Sequence, residues 1–150
     1  MTRRAPEQFI ETFGAVIRCV KSVGAQAYGA LEMGVTQAKV LRHIGRDSRL
    51  SQADLARAIE TDPALIGRSL ETLIERGWVR RKRSEEDRRQ YILELTASGQ
   101  RACKRVEEAR RGFAERVAAV LDEKDEEDFQ RIAKKILAAF EGSVETSVKR

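Results

Sequence analysis

The fold is decided by residues 51–95, which carry the sequence SQADLARAIETDPALIGRSLETLIERGWVRRKRSEEDRRQYILEL. Ser51 and Asp54 are spaced as in a capping box, with Asp in place of the usual Glu, and predict the start of a helix. Asp62 followed by Pro63 predicts a second helix start, because Asp caps a helix and proline suits its first turn. The short spacing between the two helices predicts a helix-turn-helix unit.

The second part of this stretch changes from a helical to an alternating apolar pattern. Residues 78–83 and 90–95 are therefore predicted to be strands, joined by a polar connection that is longer than a tight hairpin turn. The hairpin is rich in basic side chains, which are only partly offset by Glu85, Glu86 and Asp87. The basic residues are Arg80, Arg81, Lys82, Arg83, Arg88 and Arg89.

Amphipathic helices are predicted on both sides of this unit. Apolar residues that recur every three or four positions predict one helix over residues 6–30 and another from residue 98 to about residue 121. After a break, a last apolar stripe runs to Val144. Thr36 is predicted to cap a further short helix that ends near Gly45.

The domain organisation follows from the length of the chain and from these terminal stripes. A chain of 150 residues fits a single domain, with a core at residues 36–96. The flanking helices at residues 6–30 and 98–148 offer more apolar surface than this small core can cover, so they are predicted to bury it against a second copy. The expected fold is mainly α with a small β-hairpin wing, a winged helix-turn-helix flanked by N- and C-terminal dimerisation helices.

Composition narrows the classes of function. The net charge is +5 and the pI is about 9.5, which favours polyanionic partners. No apolar run approaches the ~20 residues that cross a bilayer, and no signal peptide is evident, so no membrane association and a cytoplasmic location are expected. The chain shows no Ser/His/Asp set, no phosphate-binding glycine loop and no cluster of metal ligands. We therefore expect neither an enzyme nor a metal or other cofactor.

The outward face of the second helix predicts insertion into the major groove of double-stranded DNA. Its N-terminal half is small or basic, and Arg68 is placed to bind a guanine edge through two hydrogen bonds. The basic hairpin suits the minor groove, whose negative potential attracts arginine. Asp87 is predicted to brace an arginine such as Arg89 at the hairpin tip. The predicted DNA-contacting residues are Ser51, Gln52, Thr61, Ala64, Leu65, Gly67, Arg68, Arg81, Arg83, Arg88 and Arg89.

Residues 51–99 resemble the MarR family, the multiple-antibiotic-resistance regulators. The resemblance rests on an ordered set of short stretches at matching spacing, and the long helices on either side complete the layout of the family. The matching stretches are SQADLA at 51–56, LETLIERGWV at 70–79, DRR at 87–89 and LTASG at 95–99.

The resemblance implies a homodimeric repressor that binds a short palindromic operator. It also implies that the terminal helices of two copies interlace, that the helix after Asp62 is the recognition helix and that residues 80–89 form the wing. A small-molecule or oxidant effector is implied, which changes the spacing of the two recognition helices. A pocket for this effector, of unidentified chemistry, is predicted between the dimer helices and the winged unit. Its predicted lining residues are Arg18, Tyr28, Met33 and Trp78.

Two alternatives stay open at this point. The first is a redox-sensing repressor that uses a cysteine. Some members of the family sense peroxides through a cysteine near the start of the first helix, but Cys19 lies in the middle of its helix and is expected to be a small buried filler. Cys103 lies in a stretch rich in lysine and arginine that could lower its pKa. His43, the single histidine, is expected to be structural. The second alternative is a winged-helix adaptor that binds proteins and no DNA.

Overall fold

The computed structural model describes residues 6–141 and confirms a mainly helical architecture with a small antiparallel hairpin. Residues 142–148 of the predicted C-terminal helices, Val144 among them, lie outside the described residues. The elements in chain order are α1 (Pro6–Gly29), α2 (Val35–Arg46), α3 (Gln52–Ile59), α4 (Pro63–Glu75), β1 (Val79–Arg83), β2 (Tyr91–Leu95), α5 (Ala97–Ala118) and α6 (Glu123–Phe140).

The two helix starts predicted from capping signals are confirmed. The Ser51 hydroxyl accepts a hydrogen bond from the Asp54 N–H at 3.1 Å, and an Asp54 carboxylate oxygen accepts one from the Ser51 N–H at 3.0 Å. Asp62 accepts from the Ala64 N–H at 3.0 Å, with Pro63 in the first turn. Each cap satisfies a backbone donor that the helix leaves unpaired, which stabilises a helix start by about 1 kcal/mol.

The predicted start of α2 is wrong by two residues. Gly34, in an extended conformation, is the residue before the helix, and its N–H donates to Gln37 Oε1 at 3.2 Å. Thr36 therefore lies inside the first turn instead of capping it. The Gln37 side chain therefore supplies the half of a capping box that accepts from the cap N–H, and Gly34 has no side chain to supply the other half.

The hydrophobic core is formed by α2, α3, α4, the hairpin and the first half of α5. The Leu93 N–H donates to the Leu50 carbonyl at 2.9 Å, so the segment before α3 lies against β2, a pairing that the sequence pattern did not indicate. Full burial of each large aliphatic side chain contributes about 1.5–3 kcal/mol. The largest fully buried side chains are Leu41, Ile44, Leu55, Ile66, Leu70, Leu73, Leu93, Val40, Val79 and Val106.

The hairpin has the predicted strands, each one residue shorter at its start. β1 and β2 pair antiparallel, with Arg81 opposite Leu93. Trp78 is excluded from β1 because its N–H donates to the Leu73 carbonyl in α4, after a turn at Gly77 with φ of +70°. Such a positive φ favours glycine and ends α4 at this point.

The terminal helices expose their apolar stripes in the single chain. On α1 the stripe includes Phe9, Phe13 and Val16, which are 52%, 40% and 52% exposed. Cys19 is also exposed, so the expectation that it is a buried filler is not met within one chain, because α1 has no buried residue. On α6, Phe129 is 60% exposed. The chain divides into two compact units, one ending at Arg110 within α5 and the other beginning at the next residue.

Candidate nucleic-acid interface

Helix α4 presents a polar face opposite its buried stripe. Ile66, Leu70 and Leu73 are fully buried, and Ile74, which the stripe also predicted to be inward, is only partly buried. The face away from the core carries Ala64, Arg68, Glu71 and Glu75, all exposed. The helix that the sequence assigned to recognition is thus open to a partner along its length.

Arg68 is the free cation of this face. Its carbonyl accepts a hydrogen bond from the Thr72 hydroxyl at 3.1 Å, but no ion pair within residues 6–141 involves its guanidinium. Leu65, one turn earlier, is 36% exposed and offers an apolar surface of the kind that contacts thymine methyl groups. A guanidinium with five unpaired donors can bind a planar acceptor pair through two parallel bonds.

The polar residues around the start of α3 are already bonded within the chain. The Ser51 hydroxyl donates to Asp54 Oδ2 at 2.7 Å as well as accepting from the Asp54 N–H. These bonds, first of all the one from the Ser51 side chain, lower the pKa of the Asp54 carboxyl below its usual range. The Thr61 hydroxyl donates to the Ile59 carbonyl at 3.2 Å. The Ser51 and Thr61 hydroxyls therefore already stabilise the local structure. A hydroxyl that also contacted DNA would divide its hydrogen bonding between DNA and its partner within the chain.

Arg81, predicted to contact DNA, is held against the helices by contacts within the chain. Its Nη2 lies 2.5 Å from Glu71 Oε1 on α4 and 3.5 Å from Gln52 Oε1 at the start of α3. Gln52 in turn lies over Gly67, where an added Cβ would be 3.4 Å from the Gln52 amide nitrogen. One guanidinium therefore joins the three elements that the sequence assigned to DNA binding.

The other wing cations are distributed between the strands and the tip. Arg80 pairs with Glu94 at 3.1 Å across the hairpin, and this hydrogen bond lowers the pKa of the Glu94 carboxyl. The Arg83 guanidinium lies 5.6 Å from the centre of the Tyr91 ring. The side chains of Arg88 and Arg89 at the tip are exposed, and neither takes part in an ion pair within the part of the chain that the structure describes.

Asp87 braces the wing tip through the backbone. Its carboxylate accepts from the Arg89 N–H at 3.0 Å, and its own N–H donates to the Ser84 hydroxyl at 3.2 Å. The predicted brace on an arginine is therefore present at Arg89, but the bond goes to the amide and leaves the guanidinium unbound. This local turn is favourable because Asp readily accepts from the N–H two residues on.

The four residues predicted to line an effector pocket do not all lie together. Met33 is buried in the core, and Tyr28 and Trp78 pack against it. Arg18 is exposed on α1, ten residues before Tyr28, and is therefore about 15 Å away from it along the helix axis. The sequence did not indicate Arg76, whose guanidinium lies 3.8 Å over the Trp78 ring and whose Nη1 donates to a carbonyl in the turn after α1 at 2.6 Å.

The second cysteine is not activated. Cys103 is partly buried, with its Sγ 3.8 Å from the Leu41 carbonyl oxygen. Burial raises the pKa of this thiol above its usual range, and the nearby Glu107 raises it further, against a smaller opposite effect of Arg42 and Arg46. The expectation that the basic stretch lowers this pKa is wrong, because desolvation outweighs the effect of the nearby cations, which are Arg42 and Arg46 of α2. The Nδ1 atom of His43 forms a 2.9 Å hydrogen bond with the Lys39 carbonyl, as expected of a structural residue.

None of the helices in residues 6–141 combines the length and apolarity that a membrane span requires.

The sequence of the chain is similar to those of known proteins. Residues 34–91 match the family model described as "MarR family". The chain is 29% identical over 94 residues to the HTH-type transcriptional regulator BilQ of Clostridium symbiosum, a match that covers 63% of this chain and 65% of the relative. The chain matches less than two thirds of the length of its curated relatives.

Solved structures show the same fold. A MarR protein from Peptoclostridium difficile superposes with a TM-score of 0.79 at 18% identity, over 98% of this chain and 96% of that protein. A mutant MarR from E. coli, in complex with operator DNA, superposes with a TM-score of 0.71 at 21% identity, over 89% of this chain and 99% of that protein. The arrangement of helices and hairpin described above is therefore shared with proteins of known structure.

Proposed function

We propose that the chain belongs to the MarR family and is a transcriptional regulator that binds double-stranded DNA as a homodimer. The observation that carries the proposal is the unpaired guanidinium of Arg68 on the exposed face of α4, near a hairpin whose tip presents two unpaired arginines. The operator complex of the E. coli MarR mutant, which has the same fold, supports it.

In this proposal α4 enters the major groove by its N-terminal half. The capped start of the helix brings its positive dipole end and the small side chain of Ala64 toward the duplex, which allows close approach. Arg68 then reaches a guanine edge, and Leu65 contacts a base methyl group. Glu75 lies two turns further along, where a helix that enters at an angle leaves the groove.

The wing contributes affinity with little sequence information. Arg88 and Arg89 project from a tip that Asp87 holds in shape, so their guanidinium groups are presented to the minor groove or its phosphates without first breaking an ion pair. Arg83, whose guanidinium lies 5.6 Å from the centre of the Tyr91 ring, is at the end of β1 next to this tip. Contacts of this kind position the protein and make its binding sensitive to salt.

A second copy covers the exposed apolar stripes. Large side chains on α1 and on α6 are between 39% and 67% exposed in one chain, which is costly in water unless a partner buries them. Two-fold symmetry doubles the recognition helix, so the proposed operator is a palindrome with half-sites about 34–36 Å apart. The proposal includes a cytoplasmic location, where such an operator is accessible.

We further propose negative regulation that a small molecule relieves, with no enzymatic activity. Support comes from Tyr28 and Trp78, which pack against the core that contains Met33. A ligand that bound near the end of α1 could displace these side chains. The Arg76 guanidinium links this region to the end of the recognition helix. Thermal-shift screening of phenolic acids and oxidants, scored by loss of DNA binding, would identify the effector.

The experiment that tests DNA recognition starts from a pool of random duplexes. Selection on the parent protein should enrich one palindromic site, and Arg68→Ala should weaken binding to that site by about 1–3 kcal/mol and relax the base preference at one position in each half. Arg88→Ala removes the same charge from the wing and serves as the matched comparison. Arg88→Ala should weaken binding to all duplexes by the same factor and make the affinity less dependent on salt. Failure of the parent to enrich any site would refute the proposal.

A further inference from the structure

The contact between Arg81 and Glu71 has a geometric cause in the hairpin. Side chains alternate between the two faces of a strand, and cross-strand partners share a face. Arg81 is opposite the buried Leu93, so it is directed toward the helices, whereas its neighbours Arg80 and Lys82 take the other face. Glu71 on α4 meets it there at 2.5 Å. The wing cation nearest to the recognition helix is therefore neutralised by that helix.

This ion pair contributes little to stability. The Arg81 and Glu71 side chains are 38% and 55% exposed, and exposed pairs of this kind gain little because water screens them and both side chains lose freedom. The pair does determine where the Arg81 charge is directed. A cation free at this position would lie on the DNA-facing side of the protein, and cations there bind any phosphate regardless of sequence.

Gln52 completes the arrangement. Its Oε1 lies 3.5 Å from Arg81 Nη2, at the limit of a hydrogen bond, so its amide nitrogen is left to donate. Gly67 leaves the space over α4 that this amide occupies. Arg81 thereby contacts two helices at once.

We infer that Glu71 is a specificity-determining residue: it holds Arg81 against α4 as a positioning residue, so that Arg81 binds no phosphate and the protein has a lower affinity for DNA without the operator. The inference rests on the proposed DNA-binding function and deepens it. Because sequence-independent affinity is kept low, the base contacts of Arg68 supply a larger share of the total binding free energy.

The test compares Glu71→Gln with Glu75→Gln in the full-length protein. Both variants remove one carboxylate from the same face of α4, one turn apart, but Glu75 has no ion-pair partner among residues 6–141. Binding to the selected operator and to a scrambled duplex of equal length is measured from 50 to 200 mM salt. If Arg81 is released and binds a phosphate, the slope of log affinity against log salt should steepen by about 0.9 per protomer. Between 50 and 200 mM salt, the affinity of the variant should then fall by about 3.5-fold more per protomer than that of the parent.

Glu71→Gln should also bind the scrambled duplex more tightly than the parent does, and it should discriminate less between the two duplexes. Glu75→Gln should keep the parental slope of log affinity against log salt. Arg81→Gln alone should keep that slope too, and the double variant Glu71→Gln, Arg81→Gln should return to it. Circular dichroism and thermal unfolding of each variant confirm that it is folded.

Three outcomes would overturn the inference: equal slopes for the parent and Glu71→Gln, a double variant as steep as Glu71→Gln, or a slope flattened by about 0.9 per protomer in Arg81→Gln. A parent that binds no duplex at all would refute the proposed function itself, whereas a parent that recognises its operator while the Glu71→Gln slope is unchanged would refute only the role of Glu71.

Discussion

Replacement of Gly99 by alanine probes the closest approach in the core of the winged unit. A Cβ built on Gly99 would lie 1.8 Å from the carbonyl oxygen of Trp78 and 2.8 Å from its carbonyl carbon. Side-chain carbons essentially never approach other heavy atoms within 3.0 Å, so the start of α5 and the backbone before β1 would have to separate by more than an ångström.

The cost of this separation follows from the bonds that it strains. The Trp78 carbonyl accepts from the Thr96 N–H at 3.0 Å, and the Thr96 hydroxyl donates to the Gly77 carbonyl at 2.6 Å. Overpacking costs about 1–3 kcal/mol, and a weakened buried hydrogen bond adds about 1 kcal/mol. Alanine regains about 0.5–1 kcal/mol through its higher helix propensity. We expect a net loss of about 1–3.5 kcal/mol in the free energy of unfolding.

Gly112→Ala is the matched control, because it makes the same substitution on the same helix where an added Cβ meets no atom within 4 Å. It should be neutral or should stabilise the protein by up to about 1 kcal/mol. Urea unfolding followed by circular dichroism measures both, at one protein concentration because dimerisation shifts the midpoint. A Gly99→Ala protein that unfolds at the parental urea concentration or above would refute the close approach on which this reasoning depends.

Two further predictions concern titratable groups. The hydrogen bond from Arg42 holds the pKa of the Glu107 carboxyl below its usual range, so its contribution to stability is present above the unfolded-state value of about 4.3 and is lost as the pH falls through the folded-state pKa. Glu107→Gln keeps an acceptor oxygen but removes the charge that pairs with Arg42, so it should cost about 1 kcal/mol at pH 7. The difference from the parent in the free energy of unfolding should narrow on acidification. Urea unfolding between pH 7 and pH 3 measures this, and a constant difference contradicts it. Because burial raises the pKa of the Cys103 thiol, a Cys19→Ser protein should react with a thiol reagent much more slowly when folded than in urea at pH 7.5; equal rates would contradict its burial.

Much of the fold was predictable because its signals are local in the chain. The Ser51 and Asp62 caps depend on side chains and amides two or three residues apart, and the change from helical to alternating period marks the hairpin within one residue. The failure at Thr36 has the same local character: both Thr36 and Gln37 carry signals of a helix start, and the glutamine satisfies the donor. The exposed face of α4 follows from its buried stripe in the same way.

The interface was predictable as a set of residues but not as a network. The sequence placed cations on the wing, but no sequence pattern distinguishes Arg81 from Arg88. Arg81 forms an ion pair with Glu71, whereas Arg88 forms none among residues 6–141. That difference depends on strand register and on a carboxylate ten residues away on another element. The backbone bond of Asp87 and the stacking of Arg76 on Trp78 were likewise decided by groups that the sequence does not bring together.

The sequence by itself determined the order and kind of the elements and the basic character of the wing, because periodicity, caps and turn residues act over one or two helical turns. Only the tertiary structure decided which of those charges stay free, which thiol is desolvated and where backbone meets backbone at Gly99. These properties depend on distances between segments far apart in the chain, where a shift of an ångström separates an ion pair from a free charge.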